Sequence, residues 1–107
     1  MTRFLGIDLG TSAVKLVVVD ERESVRARAT VPRATRHPAP LAVEQDPAEW
    51  WRAVEAGLGQ LATEQPAEMA GVRAVGLSGQ MHALCLLDAH DRPVRPAMLW
   101  NDGRAHA

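Results

Sequence analysis

The segment Gly6-Ile7-Asp8-Leu9-Gly10-Thr11-Ser12 places a carboxylate two residues before a glycine that opens a turn carrying two hydroxyls. Gly10 permits positive φ and close backbone approach, and the amides and hydroxyls of Thr11 and Ser12 can face an anion. A carboxylate beside an anion-binding turn repels the anion unless a cation lies between them. The pattern therefore suits a Mg²⁺–phosphate site, with Asp8 at the metal and Gly10, Thr11 and Ser12 at the phosphate. The same spacing suits a β-hairpin with a capped Asp-Gly turn, and spacing alone leaves both readings open.

Two further segments carry polar groups of a different kind. Gly79-Gln80-Met81-His82 interrupts an apolar run. Gln80 and His82 can hydrogen-bond hydroxyls, while Met81 offers adaptable apolar contact. Trp100-Asn101-Asp102-Gly103-Arg104 sets an aromatic before an amide, a carboxylate and a guanidinium, the make-up of a polyol-binding edge. A histidine between strands is commonly structural, and the Trp100 segment also fits a surface turn anchored by one buried Trp. His37, His90 and His106 stand in proline-rich, turn and terminal contexts and read as solvated. The sequence holds no Cys/His metal spacing, nucleophile elbow, P-loop or dinucleotide fingerprint.

The elements that must position these groups follow from periodicity. Leu5, Ile7 and Leu9 alternate as in a strand, and Val14, Leu16 and Val18 do so after the turn. Val25, Ala27, Ala29 and Val31 predict a third, half-exposed strand at the outside of the sheet, and the short links predict an antiparallel meander. Pro32, Pro38 and Pro40 make the stretch from Pro32 to Asp46 an extended crossover. Asp46 then caps a helix with Pro47 at its first position and Glu49 at capping-box spacing. Trp50, Trp51, Val54, Leu58 and Leu61 give that helix an apolar face, and it ends near Thr63–Pro66. Gly57 and Gly59 each weaken it by about 1 kcal/mol against Ala, so docking must hold it. Val72–Ser78 reads as a fourth strand and Ala83–Leu87 as a fifth, with Cys85 a buried thiol. The order β-β-β-α-β, with parallel pairing across the helix, predicts a mixed α/β sheet.

The whole chain has 107 residues, 47% of them hydrophobic, enough for one domain with a modest core. Twelve Lys+Arg against thirteen Asp+Glu leave a formal net charge of −1, which removes the usual electrostatic case for nucleic acid or an anionic membrane as partner. No apolar run reaches the roughly 20 residues of a bilayer span, no signal peptide is visible, and a single cysteine fits a cytoplasmic setting.

Taken together, the segments resemble the N-terminal part of the FGGY carbohydrate kinases, within the actin–hexokinase–heat-shock ATPase superfamily. Gly6–Ser12 with Lys15 is similar to that superfamily's first phosphate motif. Glu44-Gln45-Asp46-Pro47-Ala48-Glu49-Trp50-Trp51 is similar to the segment that opens the first helix of the sugar kinases. Gly79-Gln80-Met81-His82 and Leu99-Trp100-Asn101-Asp102-Gly103-Arg104 look like the xylulokinase branch, with Ala83 departing from its expected glycine. The resemblance implies an actin-like, ribonuclease H-like fold and phosphoryl transfer from ATP, with Mg²⁺, to D-xylulose. Kinases of ribulose or glycerol, or a non-catalytic actin-like ATP-binding module, are the alternatives. Carried over by position, Met81 and His82 contact the ketose and Asp8 serves the metal–phosphate end, while Gln80, Asn101, Asp102 and Arg104 line the sugar pocket. It further implies that residues 1–107 are the N-terminal part of the sugar-binding lobe, inactive alone. The general-base Asp and adenosine pocket would then lie outside this chain, and the full-length enzyme would be free to form a homodimer.

Overall fold

β1 (Arg3–Leu9) and β2 (Ala13–Val19) form a hairpin in which Asp8 pairs with Lys15 and Ile7 with Leu16. The computed structural model describes residues 1–105, so His106 lies outside the described residues. β3 (Val25–Pro32) adds to β2 antiparallel, and β5 (Val72–Gly79) adds to β1 parallel, giving the sheet order β3-β2-β1-β5. The meander and the parallel return predicted from alternation are both present.

Between β3 and β5 the chain crosses over through β4 (Glu44–Gln45), α1 (Pro47–Glu64) and α2 (Pro66–Ala70). Asp46 caps α1 as expected, its Oδ1 accepting from the Ala48 amide at 2.9 Å. The buried face of α1 is Ala53, Val54, Gly57 and Leu61, which packs on Leu16, Val18, Ala27 and Ala29 of β2 and β3. This departs from the predicted face, because Trp51 is exposed and Trp50 only half-buried. At about 100° per residue the buried face centres between Ala53 and Val54, and Trp51 lies about 100° round the helix from that centre.

Gly57 belongs to the interface itself. A Cβ there would lie 2.4 Å from Leu16 Cδ1, so the absent side chain lets the helix approach β2. At Gly59 a Cβ would meet nothing within 4 Å.

A second correction concerns the segment after β5. Ala83–Leu87 does not form a strand, and Cys85 is exposed. The segment makes only isolated bridges, Leu84 to Met98 and Leu87 to Pro93. Met98 belongs to β6 (Ala97–Met98), which pairs antiparallel with β4 in a separate two-stranded sheet. Pairings this short leave no alternation to read.

α1 covers β2 and β3 but not β5, which is exposed on both faces and on its outer edge. Val75 and Leu77, in register with Leu5 and Ile7, are 55% and 77% exposed on the helix side of the sheet. Among the described residues no helix is long and apolar enough to cross a membrane.

Candidate functional site

β1 and β5 run parallel and end together at Leu9 and Gly79, and the Gln80 amide adds one further rung to the Leu9 carbonyl at 2.9 Å. The carboxyl ends of parallel strands are where α/β folds open to ligands. Both sequence motifs lie at this edge: the Gly10–Ser12 turn follows β1 and the Met81-His82 pair follows β5.

On the face away from α1, Asp8 is exposed. Its Oδ1 accepts from Ser78 Oγ at 3.1 Å, and Lys15 stands opposite it on β2. Gly6, Asp8, Lys15, Val17, Gly76 and Ser78 line an open groove of about 470 Å³. The glycines keep its floor clear of side chains. At Gly10 the sequence reading invoked positive φ, but no described glycine has one. The requirement is steric instead, because a Cβ on Gly10 would lie 2.8 Å from the Ala13 carbonyl oxygen and 3.7 Å from Asp8 Oδ2.

On the helix side of the same edge, Leu9, Trp50, Gly79, Gln80, His82, Ala83 and Cys85 line a smaller pocket of about 230 Å³. His82 sits there with φ 59°, in the left-handed region. Histidine enters that region more readily than most residues, though still at about 1 kcal/mol or more. Such strain is concentrated where a side chain must be aimed. Met81 is 69% exposed just outside the pocket.

The predicted phosphate residues divide. The Thr11 hydroxyl accepts from Trp100 Nε1 at 3.2 Å and lies 3.0 Å from Gln80 Oε1, to which it donates its one proton. That hydroxyl is taken up by Gln80 and Trp100, which leaves the exposed Ser12 on the turn's outer surface.

Asp102 and Arg104 also differ from expectation. The Asp102 side chain is 3% exposed, and its carboxylate accepts from the Val43 amide at 2.8 Å and from Arg104 Nη2 at 2.7 Å. Arg104 in turn donates to the buried Glu44 carboxylate at 2.6 Å, and Arg95 pairs with the same carboxylate. The Arg104 guanidinium and these amides hold the Asp102 carboxyl well below the usual carboxylate range, and the two carboxylates push the Arg104 pKa up. Neither side chain lines the pocket at Gln80 and His82. Together they fasten the last turn to β4, which leaves Asn101 exposed and brings Trp100 against Thr11.

Sequence reasoning missed Gln45 and Trp50 as members of the site, having placed Trp50 only on the apolar face of the helix. Gln45 is 1% exposed and hydrogen-bonded to the Thr11 turn, Thr35, Trp50 and Gln80. A glutamine directly before a helix cap was the one available signal.

A mixed sheet with an acidic β-hairpin turn at one end and a crossover helix behind it is the actin-like ATPase architecture. Residues 3–107 match the family model for the N-terminal domain of the FGGY family of carbohydrate kinases. The chain belongs to that family. It is 45% identical to the xylulose kinase of Escherichia coli (strain K12) over 101 residues, covering 94% of this chain and 20% of that protein. The crystal structure of a xyloylose kinase from Brucella ovis superposes with a TM-score of 0.92 at 43% identity, over 95% of this chain and 22% of that one. That of the xylulose kinase from Rhodospirillum rubrum gives 0.88 at 31% identity, over 97% and 21%. The chain thus spans about a fifth of the length of the relatives it matches.

Proposed function

We propose that the full-length protein is a D-xylulose kinase, forming D-xylulose 5-phosphate from ATP, and that residues 1–107 are the N-terminal part of its sugar-binding lobe. The observation that carries this reading is the 45% identity, over 94% of the chain, to a protein named xylulose kinase. The geometry supports it, because the two candidate ligand surfaces meet at the shared carboxyl end of β1 and β5.

The residues present fit a magnesium nucleotide. Asp8 is exposed beside an open groove, Lys15 adds a cation opposite it, and Gly10 makes a cradle that a Cβ would fill. Asp8 would face the cation, while the Gly10–Ser12 backbone and Lys15 would hold phosphate oxygens. When bound, the magnesium nucleotide supplies the transferable phosphoryl group and neutralises its charge.

The chain's own residues bind and position. His82, fixed by its left-handed backbone, and Met81 beside it would contact the ketose from the pocket side. Trp50 and Leu9 give that pocket an apolar wall. Such positioning is the main protein contribution to in-line phosphoryl transfer.

A substrate panel with the full-length protein tests the assignment. ADP release with D-xylulose should exceed that with D-ribulose or glycerol by at least about tenfold in kcat/KM, which one discriminating contact of about 1.4 kcal/mol supplies. Preference for another acceptor, or nucleotide binding without sugar-stimulated ADP release, would overturn it.

A further inference from the structure

Gln45 stands in the short strand β4, ahead of the cap of α1, and its amide is fully engaged. Oε1 accepts from Trp50 Nε1 at 2.9 Å and from Gln80 Nε2 at 3.1 Å; Nε2 donates to the Thr11 carbonyl at 2.8 Å and to Thr35 Oγ1 at 3.0 Å. An indole N–H can only donate, so Trp50 fixes which end of the amide is oxygen. The Thr11 hydroxyl donates to Gln80 Oε1, Gln80 donates to Gln45, and Gln45 donates back to the Thr11 carbonyl. This is a closed ring of three hydrogen bonds running in one sense. Trp100 enters it through the Thr11 hydroxyl and Trp50 through the Gln45 oxygen.

Building on the kinase reading above, we propose that Gln45 is a positioning residue: the Thr11–Gln80–Gln45 ring holds the phosphate turn 10–12 and the sugar-contacting turn 80–82 in one fixed relation. Gln45 itself is 1% exposed, so it touches neither ligand and acts only through the two turns. Its residue type follows from the ring. Two donors and two acceptor sites are all in use at a buried position, so glutamate lacks the donors and an apolar residue leaves Gln80, Trp50 and the Thr11 carbonyl unpaired. Hydrogen bonds in such a network reinforce one another in a low-dielectric interior.

Each substrate half binds through its own turn, whereas phosphoryl transfer requires both turns in register. Breaking the ring should therefore lower kcat more than it raises either KM. A misplacement of about 1 Å costs roughly 100-fold in rate.

The test uses the full-length enzyme with Gln45→Met, which preserves side-chain length, and Thr11→Val, which keeps shape and removes the hydroxyl. Thr11→Ser restores that hydroxyl. Expected are kcat losses of about 10- to 100-fold for the first two, KM values for ATP and D-xylulose within about threefold of wild type, and recovery of kcat in Thr11→Ser. ¹⁵N indole resonances read the ring without any turnover: Trp50 should shift in Gln45→Met, and Trp100 in Thr11→Val but not in Thr11→Ser. Should Gln45→Met fail to fold, the Thr11 pair carries the same decision. The proposal is overturned if Thr11→Val and a folded Gln45→Met keep kcat within threefold of wild type, or if the losses fall in KM alone. A wild-type enzyme inert toward D-xylulose would defeat the substrate assignment, while the indole shifts would still report on the ring.

Discussion

Asp8 and His82 stand on the two faces of the candidate site, Asp8 in the open groove and His82 in the helix-side pocket. Asp8 is the last but one residue of β1, and its register partners across the sheet are Lys15 and Ser78. Its carboxylate is held by one hydroxyl and otherwise open to the groove. His82 lines its pocket from a left-handed backbone position. His82→Ala in the full-length enzyme removes a ring that can bond a sugar hydroxyl while leaving the groove untouched. KM for the ketose should rise about tenfold, roughly one hydrogen bond's worth, with KM for ATP unchanged in steady-state assays. Types and spacing singled out the motifs carrying these residues, but left a capped hairpin turn and a structural histidine standing beside the ligand-binding readings. The direction in which Thr11, Asp102 and Arg104 face was not legible, because it is set by partners far away in sequence: Gln80 for Thr11, Val43 for Asp102 and Glu44 for Arg104.

Among the elements, β1, β2, β3, β5 and α1 were readable because each repeats a period long enough to show, and because Asp46-Pro47 marks a helix start. The pairing of β4 with β6 and the loss of the expected strand at Ala83–Leu87 were not readable. Two-residue rungs have no period, and that region is held by the Glu44–Arg95–Arg104–Asp102 cluster instead. α1 gives a paired test of why its glycines differ. Gly57→Ala drives a methyl into Leu16 and should destabilise by about 1–3 kcal/mol. Gly59→Ala meets open space and should stabilise by about 0.5–1 kcal/mol. Urea midpoints of the two variants should move in opposite directions. The Asp102 clamp gives a pH test. Its carboxyl pKa is lowered in the folded state, so its contribution to stability is complete above the unfolded value of about 3.9 and fades as pH falls through the lower folded value. Protection of the Val43 amide from hydrogen exchange should therefore hold at neutral pH and fall only in strongly acidic solution. Asp102→Ala should lose that protection at every pH.

For the whole molecule, the sheet has a finished side and an unfinished one. β2 and β3 lie beneath α1, whereas β5 shows an open edge and an apolar face at Val75 and Leu77. Such an edge templates association. Produced alone, residues 1–107 should self-associate in sedimentation, and Leu77→Lys should reduce that association. The chain spans a fifth of its relatives' length, and on the proposed reading Asp8 lies on the groove that a nucleotide would meet. The most direct measurement is phosphoryl transfer to D-xylulose by full-length wild type and Asp8→Ala, with thermal midpoints measured alongside. The expected result is a kcat loss of about 10³-fold or more, on the scale of removing a key electrostatic group, with the midpoint little changed. Wild-type kcat in a folded Asp8→Ala enzyme would contradict the placement of Asp8 at the metal–phosphate end.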